Sequence, residues 1–182
     1  MEIAAQMLSI KFLKGAALEH INVRKQGNED DAFMALDLKL SGECSSSCLP
    51  RILGCEPKHI AAFWREDGDN NPLFSGITEI KSWAEFENCE LNLDIRDNPF
   101  QGVKVKNIRF KPVSNLNVIL TISVSIDDVS NSDIPLLANQ LREIIGCEIT
   151  GQPEFNLANA DDAKPKKKAK KERQDDLLDM EM

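Results

Sequence analysis

The chain has 182 residues, 42% of them hydrophobic, and carries a formal charge of −8 from 22 basic and 30 acidic side chains. That is enough chain for one domain with an appendage, and for a core that needs no disulfide or metal staple. No apolar run approaches the roughly 20 residues that cross a bilayer, and the opening MEIAAQMLSIKFLKG has neither the basic start nor the cleavage site of a signal peptide, so a cytoplasmic protein without a membrane partner is expected.

Residues 7–13 form a candidate first strand. In 17–25 (ALEHINVRK), Ile21 and Val23 fall on one face, and His20, Asn22 and Arg24 on the other. The polar turn QGNEDD follows. Met34, Leu36, Leu38 and Leu40 then recur at period two, so the two runs predict a β-hairpin. The serines at 45–47 offer an N-cap to a short helical turn, CLPRILG, closed by Gly54. Residues 58–65 (KHIAAFWR) suit either a strand or a helix, with the strand preferred; EDGDNNP is read as a loop, and 77–86 as ambiguous. Residues 89–95 alternate again, with Cys89, Leu91, Leu93 and Ile95 on one side.

The strongest pattern spans 102–126. Val118, Leu120, Ile122, Val124 and Ile126 share one face of a strand built from β-formers. In its partner, VKVKNIRFK, the parity breaks: Val103 and Val105 are odd, Ile108 and Phe110 even. One extra residue near Asn107, a β-bulge, restores a single apolar face. The same bulge brings Lys104, Lys106, Arg109 and Lys111 together on the opposite face. KPVSNLN is the turn. Ser132-Asp133-Ile134-Pro135 then predicts a helix over about 134–145, with Leu137, Leu141, Ile144 and Ile145 as its stripe and Gly146 as its stop. CEIT is a short strand. The expected fold class is α+β, mainly antiparallel β, OB-like or sandwich-like, with one C-terminal helix. It occupies residues 1–153 and is followed by a disordered tail over 154–182.

The stretch VKVKNIRFKPVSNLNVILTISVSI, with LLANQLREIIG and CEIT after it, resembles a family of small uncharacterised proteins of tailed bacteriophages and prophages. INVRKQGNEDDAFMALDLKLSGE looks like that family's first hairpin, so the resemblance covers most of 17–150. It departs from the family at Ser114-Asn115, where a glycine-rich turn is usual. Such genes tend to lie near phage recombination and replication genes, and the resemblance therefore implies DNA metabolism by association.

The basic face Lys104, Lys106, Arg109 and Lys111 is the candidate DNA-binding surface, since cations spaced along a strand can track phosphates. The bland account is a solvated face paired with neighbouring carboxylates. Bases also need aromatic rings to stack on. Trp64, beside Arg65, is the candidate, with core or rim packing as its favoured bland account; Phe63, Trp83, Phe86 and Phe110 are assigned to the core. The tail has a basic block (Lys164, Lys166, Lys167, Lys168, Lys170, Lys171) and an acidic tip in which Asp175, Asp176 and Asp179 interleave with Leu177, Leu178 and Met180. It is too polar to bury a core of its own. A β domain, linker and acidic tip resemble the layout of single-stranded DNA-binding proteins, which implies a tip that recruits replication or recombination proteins. The Pro-Phe ending usual there is replaced here by Met182. A solubilising tail or a nuclear-import signal fits the same residues.

Splitting the charge sharpens the difficulty. From Asp161 onward seven basic and seven acidic residues cancel, so residues 1–160 carry the whole −8, which repels nucleic acid at long range. Cys44, Cys48, Cys55 and His59 have the spacing C-x3-C-x6-C-x3-H, which admits zinc, but buried free cysteines in a reducing compartment are the expectation. Only His20 and His59 are available as imidazole bases, no phosphate-cradling glycine loop occurs, and Asp127-Asp128 reads as a strand-end turn. The expected function is therefore non-enzymatic binding of single-stranded DNA in phage replication or recombination, without a cofactor and compatible with a homo-oligomer. The alternative is an acidic protein-interaction module, an adaptor or host-enzyme inhibitor.

Overall fold

The computed structural model describes residues 7–27, 33–74, 76, 79–127 and 129–151. The centre of the first hairpin turn and the whole tail, with its basic block and acidic tip, lie outside the described residues.

Nine strand segments form one sheet: β1 (Leu8–Lys11), β2 (Ala16–Gln26), β3 (Phe33–Ser45), β4 (Ile80–Lys81), β5 (Phe86–Leu93), β6 (Phe100–Val113), β7 (Asn117–Ile126), β8 (Ile144–Ile145) and β9 (Cys147–Gly151). Among the described residues three short α-helices, α1 (Leu49–Leu53), α2 (Pro57–Ala61) and α3 (Asp133–Ala138), lie between them. Every pairing is antiparallel, in the order β1-β9-β5-β6-β7-β3-β2-β8, with β4 beside β6. β1 runs on through Gly15 into β2, and β8 into β9, while Phe12, just past β1, makes an isolated bridge to Cys44 at the end of β3. Gly15, with φ of +83°, is the tight point of the β1–β2 connection: a Cβ there would stand 2.6 Å from the Ile145 carbonyl oxygen.

Period-two alternation delivers the core. Leu36, Leu38 and Leu40 of β3, Leu91 and Leu93 of β5, and Val118, Leu120, Ile122 and Val124 of β7 all point inward and are buried. The break in β6 is resolved as a bulge. Pairing with β7 slips between Lys106 and Arg109, and Asn107 takes φ of +53°, a conformation that asparagine tolerates better than most residues. Val103, Val105, Ile108 and Phe110 are consequently all buried. Leu49 and Ile52 of α1 and Ile60 of α2 add to the core. The Ser45 side chain caps the helical turn by accepting from the Ser47 N–H, and Gly54 ends α1 at φ of +63°.

Two expected elements differ. In place of the strand over 58–65, residues up to Ala61 belong to α2, where Pro57 sets the first helical turn and Ile60 is the buried residue; Trp64 makes only an isolated bridge to Pro72. The helix over 134–145 stops at Ala138. Its expected stripe is split: Leu137 and Ile145 are buried, but Leu141 and Ile144 are exposed. The chain turns through Arg142, at φ of +70°, and Ile144 and Ile145 pair with Ala17 and Ala16 as β8. β-Branched residues beside an unfilled strand edge gain ladder bonds there that a helix cannot give them. Among the described residues no helix is long and apolar enough to cross a membrane.

Candidate nucleic-acid interface

The bulge places the four cations of β6 on the outer wall, as the parity requires, but the wall treats them differently. Lys104 is bracketed by Glu87 (2.8 Å) and Glu85 (3.1 Å). The Glu87 hydrogen bond, then Glu85, holds its ammonium above the usual lysine range. Lys106 lies 3.6 Å from Asp37. Asp37 itself ties two further strands to β3 and β6: its carboxylate bridges Arg24 of β2 at 2.6 Å and accepts from the Ser125 hydroxyl of β7 at 2.5 Å. Burial acts to raise its pKa, but Ser125, Lys106 and Arg24 together outweigh burial and hold it below the ordinary carboxylate value. The N-terminal half of the basic strand is thus a neutralised structural seam.

A lowered folded-state pKa contributes stability above the ordinary carboxylate range, and that contribution disappears as pH falls through the folded value. Asp37→Asn should therefore cost about 1–2 kcal/mol at neutral pH. The gap to the parent protein should close on acidification below about pH 4. Thermal denaturation across pH measures both.

The C-terminal half of β6 is open. Arg109 meets a single carboxylate, Glu79, at 3.2 Å with both side chains well exposed. Lys111 forms no ion pair among the described residues, and neither does Arg65, although, after the Asn71 N–H bond, the Arg65 charge helps hold the Asp67 carboxyl below its ordinary value. These two cations line one groove of about 430 Å³ with Phe74, Pro72, Asn71 and Ser114. Its shape follows from local bonds. The Asp67 carboxylate accepts from the Asn71 N–H (2.9 Å), and the Arg65 N–H donates to the Asn71 carbonyl (2.8 Å). The Ser114 hydroxyl donates to the Asn71 side chain (3.0 Å), fastening the 65–74 loop to the β6–β7 turn. Phe74, at 56% exposure, offers its ring to solvent beside both cations.

The aromatic assignments exchange places. Trp64 is only 5% exposed, and its indole N–H donates to the Val113 carbonyl at 2.6 Å. It packs edge-on to Phe63, which in turn meets Phe110. It supports the groove from beneath and offers no face to a base. Trp83, assigned to the core with Phe63, Phe86 and Phe110, is 85% exposed. The cause is parity: Ser82 and Phe86 point inward and are buried, which turns Lys81, Trp83 and Glu85 outward. That alternation was available in KSWAEFE and identifies the exposed ring. The groove, by contrast, depends on a loop meeting a turn some 40 residues away (Ser114 to Asn71), and no local pattern announces it.

The four zinc candidates are not gathered. The Cys44 and Cys48 sulfurs are buried 3.7 Å apart, and their mutual hydrogen bond raises the Cys44 pKa while lowering that of Cys48. Cys55 is half-buried and His59 exposed. Among the described residues no group of three or more potential ligands is placed to hold a metal ion. No protein family matches this chain, and neither curated proteins nor solved structures yield a match.

Proposed function

We propose that this is a non-enzymatic single-stranded DNA-binding protein of phage replication or recombination, and that DNA enters at the Arg65–Lys111 groove. The observation that carries this is the coincidence of two cations, neither in an ion pair among the described residues, with an exposed Phe74 ring at the end of the basic strand. Cations for phosphates and a ring for bases are the two requirements of sequence-tolerant strand binding. The formal charge of −8 slows approach, while Lys81, Arg109, Lys111 and Arg65 supply cations on β4, β6 and the 65–74 loop, with Glu79 beside Arg109 and Asp67 near Arg65. The Lys104 and Lys106 end of the original surface contributes framework. The acidic tip Asp175–Met180 is the natural recruiter of replication or recombination proteins. The OB-like reading rests on the antiparallel sheet alone, and an OB-like domain would carry a strand on such an exterior groove.

Oligo-dT of about 15 nucleotides should bind at low salt, raising the anisotropy of a labelled strand and weakening linearly on a log–log salt plot. Unchanged anisotropy and mobility at low salt reject DNA binding. The carboxylates around Lys104 and Lys106 favour a second reading, an acidic protein-interaction module acting as adaptor or host-enzyme inhibitor. In that case oligo-dT is ignored at every salt concentration.

A further inference from the structure

Trp83 is the most exposed large hydrophobic residue among those described, yet its backbone is firmly held. The adjacent Ser82 is buried, its N–H donates to the Ile108 carbonyl (2.8 Å) and its hydroxyl donates to the Ile52 carbonyl (3.1 Å). The same hydroxyl accepts from the Ala84 N–H (3.1 Å). The ring is steadied in turn by Lys81, whose ammonium sits 4.3 Å from its centroid. A large ring on a fixed backbone, presented to water and backed by a cation, is pre-organised to receive a second ring at little entropic cost.

Its position along the wall points to the partner. Lys81 pairs with Arg109, and Ile80 with Phe110. Lys111 at the groove and Ile108 beside Ser82 are three residues apart on β6, a rise of about 10 Å. Lys81 and Arg109 lie between the two exposed rings, on the outer face. An aromatic platform at each end of a short cationic step matches successive bases and phosphates of one strand.

Resting on the DNA-binding function proposed above, we infer that Trp83 is a second stacking platform for the same single strand, which runs from the groove past Arg109 and Lys81 and covers about four nucleotides. The test uses the full chain with an oligo-dT octamer and an oligo-dT trimer. The octamer should quench the Trp83 emission, and Trp83→Ala should weaken it 10- to 100-fold while leaving the trimer unchanged. Trp83→Phe, which keeps a ring, should recover most of the octamer affinity. Octamer affinity unaltered in Trp83→Ala, alongside binding lost in Arg65→Glu/Lys111→Glu, overturns the second platform but leaves the groove in place. Equal weakening of both lengths overturns it too, by placing Trp83 inside the first contact. If the parent protein binds neither oligonucleotide, DNA binding itself fails and the platform with it.

Discussion

Reversing Arg65 and Lys111 together, as Arg65→Glu/Lys111→Glu, should weaken oligo-dT binding by roughly 100-fold or more at low salt and flatten its salt dependence. Single-strand contacts contribute about 0.7 each to the slope of log K against log salt, so loss of two should reduce that slope by about 1.4. The folded state should barely respond. Both side chains are exposed and form no ion pair among the described residues, and surface substitutions of this kind stay within about 0.5 kcal/mol. Anisotropy across a salt series and a melting curve give the two halves of the result. Lys104→Ala is the matched contrast. Its ammonium is already shared by Glu85 and Glu87, so binding should change less than about threefold, the scale of an exposed pair. If Lys104→Ala proves as damaging as the double reversal, the strand enters at the other end of β6.

That contrast marks where sequence patterns end. The β6–β7 hairpin, its bulge near Asn107 and the shared face of its four cations follow from parity alone, because side-chain direction in a strand is a local property. The first hairpin and the Ser45 cap are local in the same sense. Charge compensation is not. Asp37 comes from the first hairpin and Lys106 from the second, and only the β3–β7–β6 register makes them neighbours. Arg65 and Lys111 share a groove because a loop is fastened to a distant turn, again a tertiary fact. Trp64 is settled by a related tertiary fact, in favour of the packing account over the ligand-facing one. Proximity to an arginine in sequence says nothing of burial, and its ring is committed to Phe63 while its N–H is committed to Val113.

The short elements failed differently. Residues 58–65 and 141–145 are apolar enough to suit a helix or a strand, and neighbours decide. Pro57 tips the first toward α2. The edge of β2 at Ala16 and Ala17, opened by Gly15, tips the second toward β8. A short apolar run has no periodicity long enough to overrule such tertiary offers.

Phe110 connects the fold to the groove most directly, and Phe110→Ala should give the largest loss of stability. Its side chain is fully buried. Removal should cost about 3–5 kcal/mol from lost transfer and the cavity left behind, a large part of the 5–15 kcal/mol typical of a domain. Urea denaturation should show a lower midpoint with an unchanged slope. The consequence extends to function, because the Phe110 ring meets Phe63 at 5.9 Å, edge to face, and Phe63 contacts Trp64 at 6.2 Å. The Phe63 carbonyl also accepts from the Leu73 N–H, next to Phe74. This ring stack therefore supports both arms of the 65–74 loop. Phe110→Leu keeps most of the volume but loses the edge-to-face contact, worth about 0.5–1.5 kcal/mol. It should fold with a modestly lower midpoint and still bind oligo-dT more weakly than the parent, because Arg65 and Phe74 lose their common support. Wild-type affinity in a folded Phe110→Leu protein would show that the loop holds its shape through the Asn71 and Ser114 bonds alone.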